Sequence, residues 1–240
     1  MRWVVLVVLV GCGRIAFDSK TATEDGATGS DSGLGSADGG GESAVEFVQA
    51  KGSAYGMATT AALAWPATVI AGDLLLVGID FGSTTTVTSV SDDLNNQWTL
   101  AGPVDGYTRE YVAYAIANAT GADTAYVDVA AGSPYLEVRL HEYRGVSATA
   151  PYDGVFGNSV DTMPATVSVT THAAGQLVFV MTIFTMFTTP SAGAGFTLRD
   201  TFANDATEDR IVPTASTFDA ITNYSSYSPW TSMAVVFNPS

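Results

Sequence analysis

Side chains able to do chemistry are sparse in this chain, and those that could act together are tyrosines, arginines and carboxylates. There are two histidines, His141 and His172, and one cysteine, Cys12. Three segments, 107–117, 124–129 and 135–143, are joined by short turns and read as consecutive antiparallel hairpins. Strict alternation then turns Tyr107, Arg109 and Tyr111 outward, with Tyr126 and Asp128, and with Tyr135, Glu137, Arg139, His141 and Tyr143. A tyrosine offers a flat apolar ring with a polar tip, which suits stacking on a sugar ring beside hydrogen-bonding groups. Tyr107, Arg109, Tyr111, Tyr126, Arg139, His141 and Tyr143 are therefore the candidate ligand-binding residues. The same pairs would also simply stabilise an exposed sheet, at roughly 0.2–1 kcal/mol each.

Two further groups have the right chemistry for a site. In Ser91-Asp-Asp-Leu-Asn-Asn-Gln97, the oxygens of Asp92, Asp93 and Asn95 are the hard donors that calcium takes, and calcium is the one cofactor the sequence suggests. Asp and Asn are equally the residues of an ordinary turn, where they bond locally and tolerate left-handed backbone. Asp205, Glu208 and Asp209 form a second, weaker acidic group. Glu142 falls by alternation on the same side as Leu136, Val138 and Leu140, so its carboxylate must be paired or hydrogen-bonded. It reads either as a catalytic acid of raised pKa or as a strand-end Glu meeting backbone amides or an arginine such as Arg199 or Arg210.

No enzyme signature accompanies them. There is no His-Glu-x-x-His, no Gly-x-Ser-x-Gly and no glycine-rich loop between a strand and a helix. The Glu-x-Asp-x-x-Glu run of sandwich-fold glucanases is missing too. The expectation is a non-enzymatic domain.

The elements that must carry these residues are strands. Leu136, Val138 and Leu140 alternate with Glu137, Arg139 and His141, and 124–129 and 165–170 repeat the pattern. Such period-two alternation marks half-buried antiparallel strands. Two runs, 74–81 and 177–187, are apolar on both faces and read as central strands covered from both sides. Turn signals stand at 71–73, 92–96, 118–123, 131–134 and 191–195. About twelve to fourteen strands are expected over residues 45–240. The predicted fold is all-β, an antiparallel two-sheet sandwich of jelly-roll or concanavalin-like type. A division into two small domains near residues 151–164 is the weaker alternative, because that segment lacks the composition of a linker.

The balance of 24 acidic against 9 basic residues gives a net charge of −15. Such a chain repels phosphate backbones, so nucleic acid is set aside as a partner. Residues 13–43 are built of Gly, Ser, Ala, Thr, Asp and Glu and cannot offset the entropy of ordering, so they read as a flexible tether. Before them, Trp3 to Val10 form an apolar run far too short to span a bilayer but long enough for a signal-peptide core.

The end of that run, Leu9-Val10-Gly11-Cys12, resembles the lipobox of bacterial lipoproteins. The resemblance implies a signal peptide at 1–11, a diacylglyceryl group on Cys12, and a tether from 12 to 44. Gly13 stands where such proteins carry Asp when retained at the inner membrane, which implies the outer membrane. Ala71-Gly-Asp-Leu-Leu-Leu-Val77, Val87 to Asp92 with Trp98-Thr99, Glu142-Tyr-Arg-Gly-Val146, Gly195 to Arg199, Asp209 to Val212 and the closing Trp230 to Phe237 are similar to an uncharacterised module of secreted bacterial proteins. That family carries no agreed chemistry. The expected function is binding of a glycan or a surface protein by a domain anchored through Cys12. The alternatives are a structural envelope protein without a small ligand, or a glycan hydrolase with an acid pair not visible as a motif.

Overall fold

Leu74–Phe81 and Leu177–Phe184 have no polar face, so each needs a covering layer on both sides, and this demand shapes the molecule. The computed structural model describes residues 44–82, 85–130 and 135–240. Cys12 and the tether lie outside the described residues. The first eight strands are β1 (Glu46–Gly56), β2 (Thr60–Ala64), β3 (Leu74–Phe81), β4 (Val87–Asp92), β5 (Thr99–Asp105), β6 (Arg109–Ile116), β7 (Thr124–Val129) and β8 (Leu136–Arg144). The second eight are β9 (Tyr152–Val160), β10 (Ala165–Thr170), β11 (Leu177–Phe184), β12 (Pro190–Ser191), β13 (Thr197–Asp200), β14 (Ala206–Ile211), β15 (Thr217–Tyr224) and β16 (Trp230–Phe237). All strand pairings among the described residues are antiparallel, and the fold is the expected all-β sandwich.

The chain builds it twice. The first half forms sheets β1-β8-β3-β6-β5 and β2-β7-β4. Adding eight to every strand number gives the second half, β9-β16-β11-β14-β13 and β10-β15-β12. The likeness reaches single residues. β1 carries a bulge between Phe47 and Gln49, opposite Tyr143 and Glu142, and β9 carries one between Tyr152 and Gly154, opposite Phe237 and Val236. The sequences entering the two central strands match as well, AGDLLLVGIDF from Ala71 and AGQLVFVMTIF from Ala174.

Four sheets therefore stack in layers rather than two. Leu75, Val77, Ile79 and Phe81 of β3 pack toward β2-β7-β4. Leu74 and Leu76 face the other way, against Leu177, Phe179 and Met181 of β11. Val178 and Val180 on the far side of β11 meet Val167, Val169 and Ala220 of the outer sheet. Each fully buried side chain of this size is worth about 1.5–3 kcal/mol, which is why the doubly apolar strands sit at the centres. The middle layers come close at Gly78, where a Cβ would stand 2.8 Å from Met181 Sδ.

This topology overturns the three consecutive hairpins expected from 107–143. β3 lies between β6 and β8, and β7 pairs with β2 and β4 in the opposite sheet. Short turns joined these segments in sequence, but β6 to β7 and β7 to β8 each cross from one sheet to the other.

The connections sort by end. β1 starts at Glu46 beside Arg144 at one end of the stack and finishes at Gly56 beside Leu136 at the other. At the Gly56 end β3 finishes at Phe81 beside Arg109, the first residue of β6. Eleven residues of β1 separate the two ends, roughly 35 Å at about 3.3 Å per residue.

Candidate functional site

Alternation placed Glu137, Arg139, His141 and Tyr143 of β8 on one face, and they do share one, but it faces the second half of the molecule instead of solvent. There Arg139 is 1% exposed and meets three carboxylates. Its Nη1 donates to Asp80 on β3, and its Nη2 donates to Glu137 at 2.5 Å and to Asp205, just before β14, at 2.6 Å. Asp205 also accepts the Phe184 amide at 2.7 Å, which ties the end of β11 into the cluster. Glu110 of β6 sits directly opposite Asp80 in the strand register, so its side chain points into the same layer. The Thr108 hydroxyl donates to Glu110 Oε1 at 3.4 Å. Glu110 Oε2 is buried and has no hydrogen-bond partner.

Four carboxyls thus surround one guanidinium, and burial disfavours the charged forms of Asp80, Glu110 and Asp205. Burial raises Asp80 to about 7, against the pull of Arg139. It pushes Glu110 well above the carboxylate range, helped by the charges of Asp80 and Asp205, and raises Asp205 in the same way. Burial works against the Arg139 proton, but Asp80, Asp205 and Glu137 outweigh it, so Arg139 remains a cation.

The cluster borders a recess of about 420 Å³ at the end remote from Glu46. Asp80, Glu137 and Asp205 line it with Thr108, Phe184 and the rings of Tyr107 and Tyr135. Around it, the connections at this end expose large apolar side chains: Met57 at 81%, Phe187 at 80%, Tyr135 at 74%, with Met163, Met186, Tyr107 and Tyr227 near one half. A concentration of such side chains at one end, beside a charged concavity, is the ordinary sign of a binding surface.

Deeper in the same layer lies His141, fully buried with neither ring nitrogen hydrogen-bonded. The Phe179 ring meets it edge-on at 4.9 Å, and Tyr143 lies nearly parallel to it at 6.4 Å. Burial, then Arg139 and Arg199, lower its pKa to about 3. Tyr143 donates to Asp209 at 2.9 Å, and Arg199 holds Asp209 with two bonds of 2.7 and 3.0 Å while covering the Phe47 ring.

The expected tyrosine face is accordingly not assembled. Tyr107 remains exposed and lines the recess, and Arg139 stands behind that recess as its cation. Arg109 is bound to Asp105 at 2.5 Å and to the Thr85 carbonyl at 2.9 Å. Tyr111 is buried on the opposite face of its sheet, 6.0 Å from Phe81. Tyr126 lies on the outer sheet and donates to Asp93 at 2.9 Å. His141 and Tyr143 are enclosed between the halves. A ligand cannot reach Tyr111, His141 or Tyr143 in this fold.

Glu142 behaves as a strand-end carboxylate. It accepts the Ile70 amide at 3.0 Å and a bond from Gln49, and burial raises its pKa. Its expected arginine partners are elsewhere, Arg199 on Asp209 and Arg210 over the Phe218 ring at 4.8 Å. In the calcium candidate, Asp92 Oδ1 takes the Asn96 amide at 2.9 Å, and its Oδ2 takes Asn96 Nδ2 and Trp98 Nε1, both at 2.8 Å. Asn95 has φ of 58° and gives its carbonyl to Asn118. These are the bonds of a turn that closes on itself. The second acidic group is dispersed: Asp205 serves Arg139, Asp209 serves Arg199, and Glu208 accepts the Thr222 hydroxyl at 2.6 Å and the Gly193 amide at 3.0 Å. Among the described residues, no three His, Cys, Asp or Glu side chains are grouped as a metal site.

Asp80, Glu110 and the apolar loop tips were missed by sequence reasoning. Asp80 had a signal, as a lone carboxylate inside an otherwise apolar strand, which almost always requires a buried partner. No family model, no curated protein and no solved structure matches this chain.

Proposed function

We propose that this chain is an outer-membrane lipoprotein whose paired sandwiches present a protein-binding surface on the end remote from Glu46. Each half reads as a jelly roll in which the fifth strand has joined the larger sheet. One observation carries the reading. The seven most exposed large apolar side chains, at 49–81%, all lie on the connections remote from Glu46, as Met57, Tyr107, Tyr135, Met163, Met186, Phe187 and Tyr227, whereas Ile70, Leu100, Tyr126, Tyr152 and Ile211, elsewhere, reach only 36–40%. Methionine and phenylalanine at loop tips favour a protein partner over a glycan, because interface centres are enriched in aromatics and Met, whereas sugar sites use aromatic rings with polar neighbours.

The anchor predicts that Cys12→Ser moves the protein from the membrane to the soluble fraction, or leaves it unprocessed. Equal membrane retention with unchanged mass would rule the anchor out. The binding surface is tested by a benzophenone amino acid placed at Phe187 in the full chain in cells, with Ile211 at the other end as control. One discrete protein adduct is expected at 187 and none at 211. An adduct that resists protease but yields to glycosidases would show a glycan ligand instead, and no adduct at either position would leave the structural envelope role.

A further inference from the structure

We propose that the acidic recess between the two halves receives the guanidinium or ammonium group of a basic side chain on the partner, an inference that rests on the protein-binding reading above. The first argument is charge. Among the described residues, Asp80 from β3, Glu110 from β6, Glu137 from β8 and Asp205 preceding β14 converge on Arg139 alone, with Arg199 and His141 further inside the layer. One cation does not balance four carboxyls, and the deficit faces a concavity open at the exposed end. The second argument is the unpartnered oxygen. Glu110 Oε2 is fully buried and accepts nothing, although buried carboxylate oxygens are ordinarily satisfied. It lies on the sheet face that carries Asp80, and its other oxygen is bonded to Thr108, which lines the recess. An incoming N–H donor would satisfy it.

The proton affinities agree with this geometry. Without a second cation the carboxyls hold protons: Asp80 titrates near 7, and Glu110 and Asp205 stand well above the usual range through burial. A bound cation would replace those protons. The flanking Tyr107 and Tyr135 supply the ring faces that a guanidinium or ammonium favours. The volume, about 420 Å³, is near the lower end of small-ligand sites and fits one side chain better than a chain of sugars.

Both halves are needed. Leu74 pairs with Ile116 and Leu177 with Ile211, so six residues before each isoleucine Glu110 and Asp205 occupy equivalent positions in the repeat. The recess is lined by Asp205 from the second half and by Asp80 and Thr108, the neighbours of Glu110, from the first, and neither sandwich alone contains it.

The test uses the full chain and two capped tripeptides, Gly-Arg-Gly and its neutral citrulline isostere, titrated calorimetrically. The arginine peptide is expected to bind at least about tenfold more tightly, a difference of about 1.4 kcal/mol. Titration at pH 7 in buffers of different ionisation enthalpy should reveal proton release. Glu110→Gln should weaken the arginine peptide about tenfold, and the comparison of peptides on the unaltered chain does not depend on how that variant folds. Equal binding of the two peptides, or binding of neither at millimolar concentration, overturns the inference. A discrete protein adduct at Phe187 together with that result would sink only the recess chemistry. Charge-selective peptide binding without any adduct would retain the recess and reject the protein-binding reading.

Discussion

Arg139→Met is expected to cost about 3–5 kcal/mol of folding stability at neutral pH, the range for removing one partner of a buried ionic cluster. Among the described residues Arg139 is the sole cation bonded to Asp80, Glu137 and Asp205, and it joins the first half to the second through Asp205. Methionine fills much of the same space, so the loss is mainly electrostatic. The pH dependence identifies it. The folded-state pKa of Asp80 is raised to about 7 from 3.8, so the native protein holds more protons than the unfolded chain between those values. Stability from this group is therefore full below 3.8 and falls as pH rises toward 7. Without Arg139 the carboxyls bind protons more strongly still, and the fall extends above pH 7. Urea unfolding of both proteins at about pH 5 and pH 8 should show a much larger gap at the higher pH. A gap that is the same at both would mean lost packing rather than uncompensated charge.

How far the sequence disclosed this arrangement depended on the kind of signal. The doubly apolar runs correctly identified β3 and β11 as central strands, because a side chain of Leu or Phe on each face leaves only one stable environment. Alternation along 135–143 correctly separated Leu136, Val138 and Leu140 from Glu137, Arg139, His141 and Tyr143. What alternation cannot supply is the identity of the layer opposite. A face of Glu, Arg, His and Tyr reads as solvent-facing, yet Asp80, Asp205 and Asp209 from distant strands come to meet it and make burial tolerable. Those partners are 59, 66 and 66 residues from the groups they bind. The duplication, by contrast, was legible. Ala-Gly-Asp-Leu at 71 and Ala-Gly-Gln-Leu at 174 begin matching strands, and Trp98-Thr99-Leu100 corresponds to Phe196-Thr197-Leu198. Read as a repeat, they would have replaced one sandwich of two sheets by two sandwiches of eight strands each, and turned the count from about twelve to fourteen strands to sixteen.

The same repeat shows that a histidine is not needed at the centre of the middle layer. His141 lies opposite Leu76 on β3, and the equivalent position in the second half is Val235, opposite Phe179 on β11. His141→Leu is expected to stabilise the protein, and by more at acid pH. At pH 7 the gain comes from removing two buried nitrogens without partners, and an unsatisfied group of this kind costs about 1–3 kcal/mol. On acidification a second contribution appears. Burial and the neighbouring arginines lower the pKa of His141 to about 3 from 6.5, so the unfolded chain binds the proton that the folded one refuses. Stability from this group is thus present above 6.5 and is lost progressively toward 3. At about pH 5 the loss is roughly 2 kcal/mol, from 1.36 kcal/mol per pKa unit. In the unaltered protein this loss opposes part of the gain that Asp80, Glu110 and Asp205 bring over an overlapping interval. With leucine at 141 the carboxyl contribution is unopposed by the histidine, so the variant should gain more stability than the parent as the pH is lowered from 7 toward 4. Denaturant midpoints across that interval measure the divergence directly. Parallel profiles for parent and variant would show that His141 takes up a proton within the fold, and that the layer around it is open to water.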